Sequence, residues 1–88
     1  MASLQERFDE AAEKVKSLTK RPTNEELLLL YGLYKQATIG DNTTSKPGLF
    51  DLKAAKKWEF WTNLKGTSKE ECQQKYIDNV EDFLGRYA

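Results

Sequence analysis

The 88-residue chain is long enough for one domain, and folding so short a chain buries roughly 60–65% of the surface it exposes when unfolded. A deep enclosed site is hard to build from so modest a core, so a groove is the expected binding surface. Its 14 basic and 14 acidic residues cancel, which argues against a general binder of nucleic-acid backbones. There is no histidine and a single cysteine, Cys72. That leaves no internal disulfide, no Cys/His metal spacing and no histidine general base. The opening MASLQERFDE is charged and lacks the apolar stretch of a secretory signal. No apolar run approaches a membrane span, and a cytoplasmic location is the expectation.

In chain order, the first helical segment carries Leu4, Phe8, Ala11, Ala12, Val15 and Leu18 at spacings of three and four, one apolar stripe ended by Pro22. The second opens on the capping-box pattern Thr23-Asn-Glu-Glu26 and runs to a stop at Gly40. Its four consecutive leucines, 27–30, cover more than one helix face, so this segment should be apolar toward two neighbours, or toward a core and a ligand. Residues 41–50, DNTTSKPGLF, are rich in turn formers and form the longest expected loop; long loops in small domains are often functional. The third segment starts at the N-cap Asp51, with a buried stripe of Leu52, Ala55, Trp58, Trp61 and Leu64, and ends at Gly66. Lys53, Lys56, Lys57 and Phe60 fall off that stripe. The fourth opens on Ser68-Lys-Glu-Glu71, a second expected capping box, and buries Cys72, Tyr76, Ile77, Val80, Phe83, Leu84 and Tyr87. No strand alternation or internal repeat is present, and an all-α four-helix bundle around one core is expected.

Charge is uneven along the chain. Between residues 46 and 66 five lysines face two acids, whereas from residue 67 onward three bases face five acids. A basic helix inside a neutral protein suits a small anionic ligand. Tyr31 and Lys35 lie one turn apart, with Tyr34 beside them, and Lys53 and Lys57 repeat that spacing on the next helix. A ring and an ammonium group projecting together can stack a purine and hold a phosphate. The same spacing also fits helix-edge tyrosines beside solvated lysines, and on spacing alone both readings stand. No nucleophile elbow or phosphate-binding glycine loop is found. The acid pairs Glu25-Glu26 and Glu70-Glu71 fit first-turn positions. A non-enzymatic role is expected.

At YGLYKQATIGD, Tyr31 to Asp41, the chain resembles the acyl-CoA-binding protein family. The resemblance continues in order through KPG at 46–48, KKWEFW at 56–61, LKGTSKEE at 64–71 and YID at 76–78, with FDEAAEKVKSL similar to the family's first helix. It implies a four-helix bundle running up-down-down-up, with residues 1–88 as a single acyl-CoA-binding domain. It also implies a cytoplasmic, monomeric carrier of medium- to long-chain fatty acyl-CoA. Such a carrier has no cofactor, and acyl-CoA-using enzymes or membranes are its transient partners. Carried over by residue, the resemblance implies that Tyr31 stacks on the adenine and that Lys35 and Lys57 hold the 3′-phosphate. Lys16 and Lys53 face the headgroup, Tyr76 contacts the nucleotide end, and Gly32, Leu33 and Tyr34 complete the binding stretch. Leu27, Leu28, Ala11 and Ala12 line the acyl-chain groove. The leucine run at 27–30 and the bulky Phe60 depart from the family's usual pattern and leave chain-length preference open. A nucleic-acid-binding bundle, a protein-interaction bundle and a thioesterase remain the rival readings.

Overall fold

Helix ends leave first-turn N–H groups without intrahelical partners, and this chain supplies a side-chain acceptor at each start. The computed structural model describes residues 2–87. Helix α1 spans Leu4–Lys14, capped by Ser3 and Glu6 in a reciprocal capping box that the apolar spacing did not reveal, and one 3₁₀ turn, Val15–Ser17, extends it. Helix α2 spans Asn24–Thr38, with the expected box of Thr23 and Glu26. Helix α3 spans Leu52–Thr62 with Asp51 as N-cap, and α4 spans Lys69–Arg86 with Ser68 as N-cap. The expected box on α4 is only half formed. Ser68 accepts from the Glu71 N–H, but the Glu71 carboxylate pairs with Lys75 at 3.1 Å instead of reaching back.

Side-chain contacts fix the directions. Gln73 donates to Gln5 near the starts of α4 and α1, and Thr19 donates to the Tyr87 carbonyl beyond their ends, so these helices run parallel. Arg86 at the end of α4 meets Glu26 at the start of α2, so that pair is antiparallel. The start of α2 lies beside Lys53 and the region around residue 40 beside Trp61, so α2 and α3 run parallel. The bundle is therefore all-α and up-down-down-up. Helices α4 and α2 form its centre, with α1 flanking α4 and α3 flanking α2. The Cα atoms span 42 × 28 × 14 Å, a slab too thin to enclose a ligand, given a helix diameter of about 10–12 Å.

The core gathers Phe8, Ala11, Leu30, Leu33, Ala37, Cys72, Tyr76, Ile77, Val80 and Phe83. Burial pushes the Cys72 thiol up from its ordinary value, so it stays a protonated core residue. The expected stripes of α1, α2 and α4 are found, but that of α3 is shortened. Trp61 is buried and Ala55, Trp58 and Leu64 are half-buried, whereas Leu52 is exposed. Helix α3 has one helical neighbour, α2, and Leu52, its first residue, lies outside the groove the two share. Two parallel helices in sequence need a connection that returns along their length, which is what residues 39–51 supply. Gly40, at φ +96°, starts the reversal. The loop is tied down by both tryptophans: Trp61 Nε1 donates to the Gly40 carbonyl at 2.8 Å and Trp58 Nε1 to the Thr44 carbonyl at 3.0 Å. Asn42 Nδ2 adds a bond to Thr62 Oγ1 at 3.0 Å.

Two outcomes follow from this packing. A Cβ added at Gly32 would lie 2.7 Å from the Phe60 carbonyl oxygen, backbone against backbone. Gly32→Ala should therefore cost about 1–3 kcal/mol, the range for forcing bulk into a packed interface, measured as a lower urea midpoint with an unchanged slope. The Glu26 carboxylate accepts from the Tyr87 hydroxyl, the Thr23 N–H and Arg86, which together lower it from 4.5 to about 2. Because the folded value is depressed, the stabilisation is complete above about pH 4.5 and is lost as pH falls toward 2. Glu26→Gln keeps a capping-box side chain, so urea melts should show the variant weaker than wild type at pH 7 and nearly equal to it at pH 2.

Candidate functional site

Where α2 and α3 start side by side, their diverging surfaces leave an open groove of about 750 Å³, within the usual range of about 300–1,000 Å³ for small-ligand sites. It is lined by Leu27, Leu28 and Tyr31 from α2 and by Lys53, Lys56, Lys57 and Phe60 from α3, with Arg21, Asn24 and Glu25 at its end. The leucine run explains the apolar wall. Successive helical residues rotate by about 100°, so the four leucines point different ways. Leu30 enters the core, Leu27 and Leu28 line the groove, and Leu29 faces out.

Tyr31 stands at the head of the groove between two ammonium groups. Lys57 Nζ is 5.2 Å and Lys35 Nζ 5.8 Å from its ring centroid, and Lys35 also lies 5.6 Å from the Trp61 ring. Both distances to Tyr31 fall within cation–π range. Lys53, one turn before Lys57, continues the positive edge. Among the described residues none of Lys35, Lys53, Lys56 and Lys57 is in an ion pair. Arg21 is held by a 2.8 Å bond to Asn24, and Glu25 is the one carboxylate lining the groove. The surface is an apolar trough with a cationic, aromatic rim, suited to a ligand with an anionic head and an apolar tail. Among the described residues no group of three or more His, Cys, Asp or Glu is placed to hold a metal ion.

The structure thus brings together Tyr31, Lys35, Lys53, Lys57, Leu27 and Leu28. It places the other residues singled out in the sequence elsewhere. Gly32 is buried against the α3 backbone and Leu33 lies in the core. Tyr34 turns away from Tyr31: its ring stacks on Phe8 at 5.4 Å, and Tyr76 closes the cluster at 5.8 Å. Burial, with Tyr34 adding to it, pushes the Tyr76 hydroxyl up to about 12. Ala11 is buried in the core, Ala12 packs on its edge, and neither lines the groove. Lys16 stands on the 3₁₀ turn, exposed and paired with Glu13 at 3.2 Å. Sequence reasoning missed Arg21, Asn24 and Glu25, whose positions it assigned to a linker and a helix cap. Arg21 reaches the start of α2 through its bond to Asn24, and no spacing signal in the sequence marked it. Phe60 and Lys56 were flagged only as lying off the buried stripe of α3.

The loop's anchoring also stabilises the far end of α2. Asp41 accepts from the Gly66 N–H at 2.9 Å and from Gln36 Nε2 at 2.8 Å. These bonds, with Lys65 nearby, hold its carboxyl below the usual range.

Comparison with known proteins points the same way. A family model described as acyl CoA binding protein matches residues 5–80. An acyl-CoA-binding protein homolog of Drosophila melanogaster is 59% identical over 83 residues, covering 94% of this chain and 96% of the relative. An acyl-CoA-binding protein of Brassica napus is 53% identical over 81 residues, covering 92% and 88%. The crystal structure of Oryza sativa acyl-CoA-binding protein 2 superposes with a TM-score of 0.91 at 51% identity, covering 96% of this chain and 93% of that one.

Proposed function

The chain belongs to the acyl-CoA-binding protein family, and on that premise we propose that it is a non-catalytic carrier and buffer of medium- to long-chain fatty acyl-CoA esters. The observation that carries the reading is the Tyr31 ring flanked by Lys35 and Lys57 at the head of an apolar groove. In this reading Tyr31 covers the adenine and the two ammonium groups hold the 3′-phosphate, each by a charge-assisted bond worth about 1.5–3 kcal/mol. Lys53 lies along the remaining phosphates. The acyl chain runs against Leu27, Leu28 and Phe60. Each methylene taken from water contributes about 0.8 kcal/mol, so a long chain outweighs the headgroup.

The thioester needs no catalytic group for this. The groove's carboxylate, Glu25, is at its end, and Cys72 is sealed in the core. Keeping the thioester bound is chemically different from cleaving it, and this reading takes the groove's lysines, leucines and rings as binding groups. The same proposal treats residues 1–88 as one domain working as a cytoplasmic monomer. No cofactor is required, and acyl-CoA-using enzymes or membranes act as transient partners. No helix among the described residues is long and apolar enough to cross a membrane. Gly32, Leu33, Tyr34, Tyr76, Ala11 and Ala12 then serve as the frame that sets the groove's walls.

Calorimetry with palmitoyl-CoA should show one tight site, and free CoA should bind far more weakly. Lys35→Ala and Lys57→Ala should each weaken palmitoyl-CoA binding about ten- to hundredfold, matching the loss of one charge-assisted bond, with the helical content unchanged. Equal affinity for CoA and palmitoyl-CoA would remove the groove from the reading, and absence of binding to both would remove the reading itself.

A further inference from the structure

The three most exposed large apolar residues of the described chain lie together just before α3: Leu49 is 89% exposed, Phe50 fully and Leu52 74%. The fold gives them no packing role. The Asp51 N–H donates to the Gly48 carbonyl at 3.1 Å, closing a four-residue turn with Leu49 and Phe50 at its corner. Corner positions of such turns ordinarily take proline, glycine or small polar residues. Here they hold two bulky hydrophobes, and Leu52 adds a third from the first turn of α3. Asp51, the acid among them, is engaged as the N-cap, its carboxylate accepting from the Ala54 N–H at 3.2 Å.

The surroundings are basic. Lys53 and Lys56 follow on exposed positions of α3 and are in no ion pair among the described residues, while Lys46 precedes the turn and is paired with Glu59 at 3.3 Å. Apolar side chains at a protruding tip with free lysines behind them match the layers of an anionic membrane surface, acyl chains below and phosphates above. We propose that the turn Gly48–Asp51, with Leu52, is a docking tip that inserts into the surface of an anionic phospholipid bilayer. Because α2 and α3 run parallel, the groove end bearing Arg21, Asn24 and Lys53 lies at the same end of the molecule as this tip. Docking would therefore hold that end of the groove at the lipid surface. This last step rests on the function proposed above; the docking itself does not.

Leu49 and Phe50 lie outside the groove lining, so their variants separate docking from ligand binding. Co-sedimentation of the ligand-free protein with phosphatidylcholine–phosphatidylserine vesicles should show binding that weakens with added salt. Leu49→Ser/Phe50→Ser should weaken it about tenfold or more, as expected from losing two buried apolar side chains. Palmitoyl-CoA affinity in vesicle-free solution should be unchanged. Equal vesicle binding by the double variant would overturn the proposal, because another surface would then be responsible. No vesicle binding by the wild type would also overturn it, leaving a protein as the tip's occupant. Loss of soluble palmitoyl-CoA binding in the double variant would overturn it too, by placing the turn in the groove. Vesicle binding by a wild type that binds no acyl-CoA would uphold docking while removing the carrier reading.

Discussion

Helix α2 lies so close to α3 that the Gly32 Cα faces the Phe60 carbonyl, a distance that leaves no room for a Cβ. Much of the site depends on this approach. With the backbones in near contact at Gly32 and Phe60, the earlier turns can diverge, Leu27 and Leu28 on α2 facing Lys53, Lys56 and Lys57 on α3, and the divergence is the groove. At the head of that divergence Lys57 from α3 reaches the Tyr31 ring of α2, while Lys35 reaches it from the next turn of its own helix. A wider interhelical spacing would separate those cations and flatten the trough.

The parallel direction of the pair imposes the second constraint. Antiparallel neighbours can be joined by a short turn, but α3 must begin beside the start of α2, so the chain returns through residues 39–51. That return segment has no regular structure and is held by bonds from the two indoles and through the side chains of its own Asn42 and Asp41. The tryptophans are thus more than core volume: their apolar bodies pack beneath the loop while their N–H groups hold it. The turn at its end is where Leu49 and Phe50 project into solvent.

The opposite side of α2 shows how one helix serves two structures. Leu30, Leu33 and Ala37 enter the core with α1 and α4, and the exposed Tyr34 ring lies against Phe8 and Tyr76 at its edge. Near the start of α2, Glu26 binds Arg86 and Tyr87 from the end of the chain. The central pair α2–α4 is therefore pinned at the same end as the groove. The leucine run is what permits the dual role, since an ordinary amphipathic stripe would face only one neighbour.

The four helices were legible because their signals are local. Thr23 with Glu26, Asp51, Ser68 and the three-and-four spacing of apolar residues act within one or two turns of chain. Their outcome is largely independent of what packs against them. The motifs from Tyr31 to Asp78 likewise carried the family resemblance, and with it Tyr31, Lys35, Lys57, Leu27 and Leu28. What spacing could not supply was which side of a helix meets which neighbour. Leu52 fits the α3 stripe by period and is exposed, outside the groove shared with α2; Tyr34 sits near Tyr31 by period and is drawn to Phe8 instead. Arg21, Asn24 and Glu25 look like a linker and a cap until α3 is placed opposite them. By itself the sequence determined four helices, three of them with legible caps, one core and a basic third helix. The up-down-down-up course came with the family resemblance; the tertiary structure alone decided that α2 and α3 meet at backbone contact, because that approach depends on a missing side chain at Gly32 meeting a carbonyl 28 residues away.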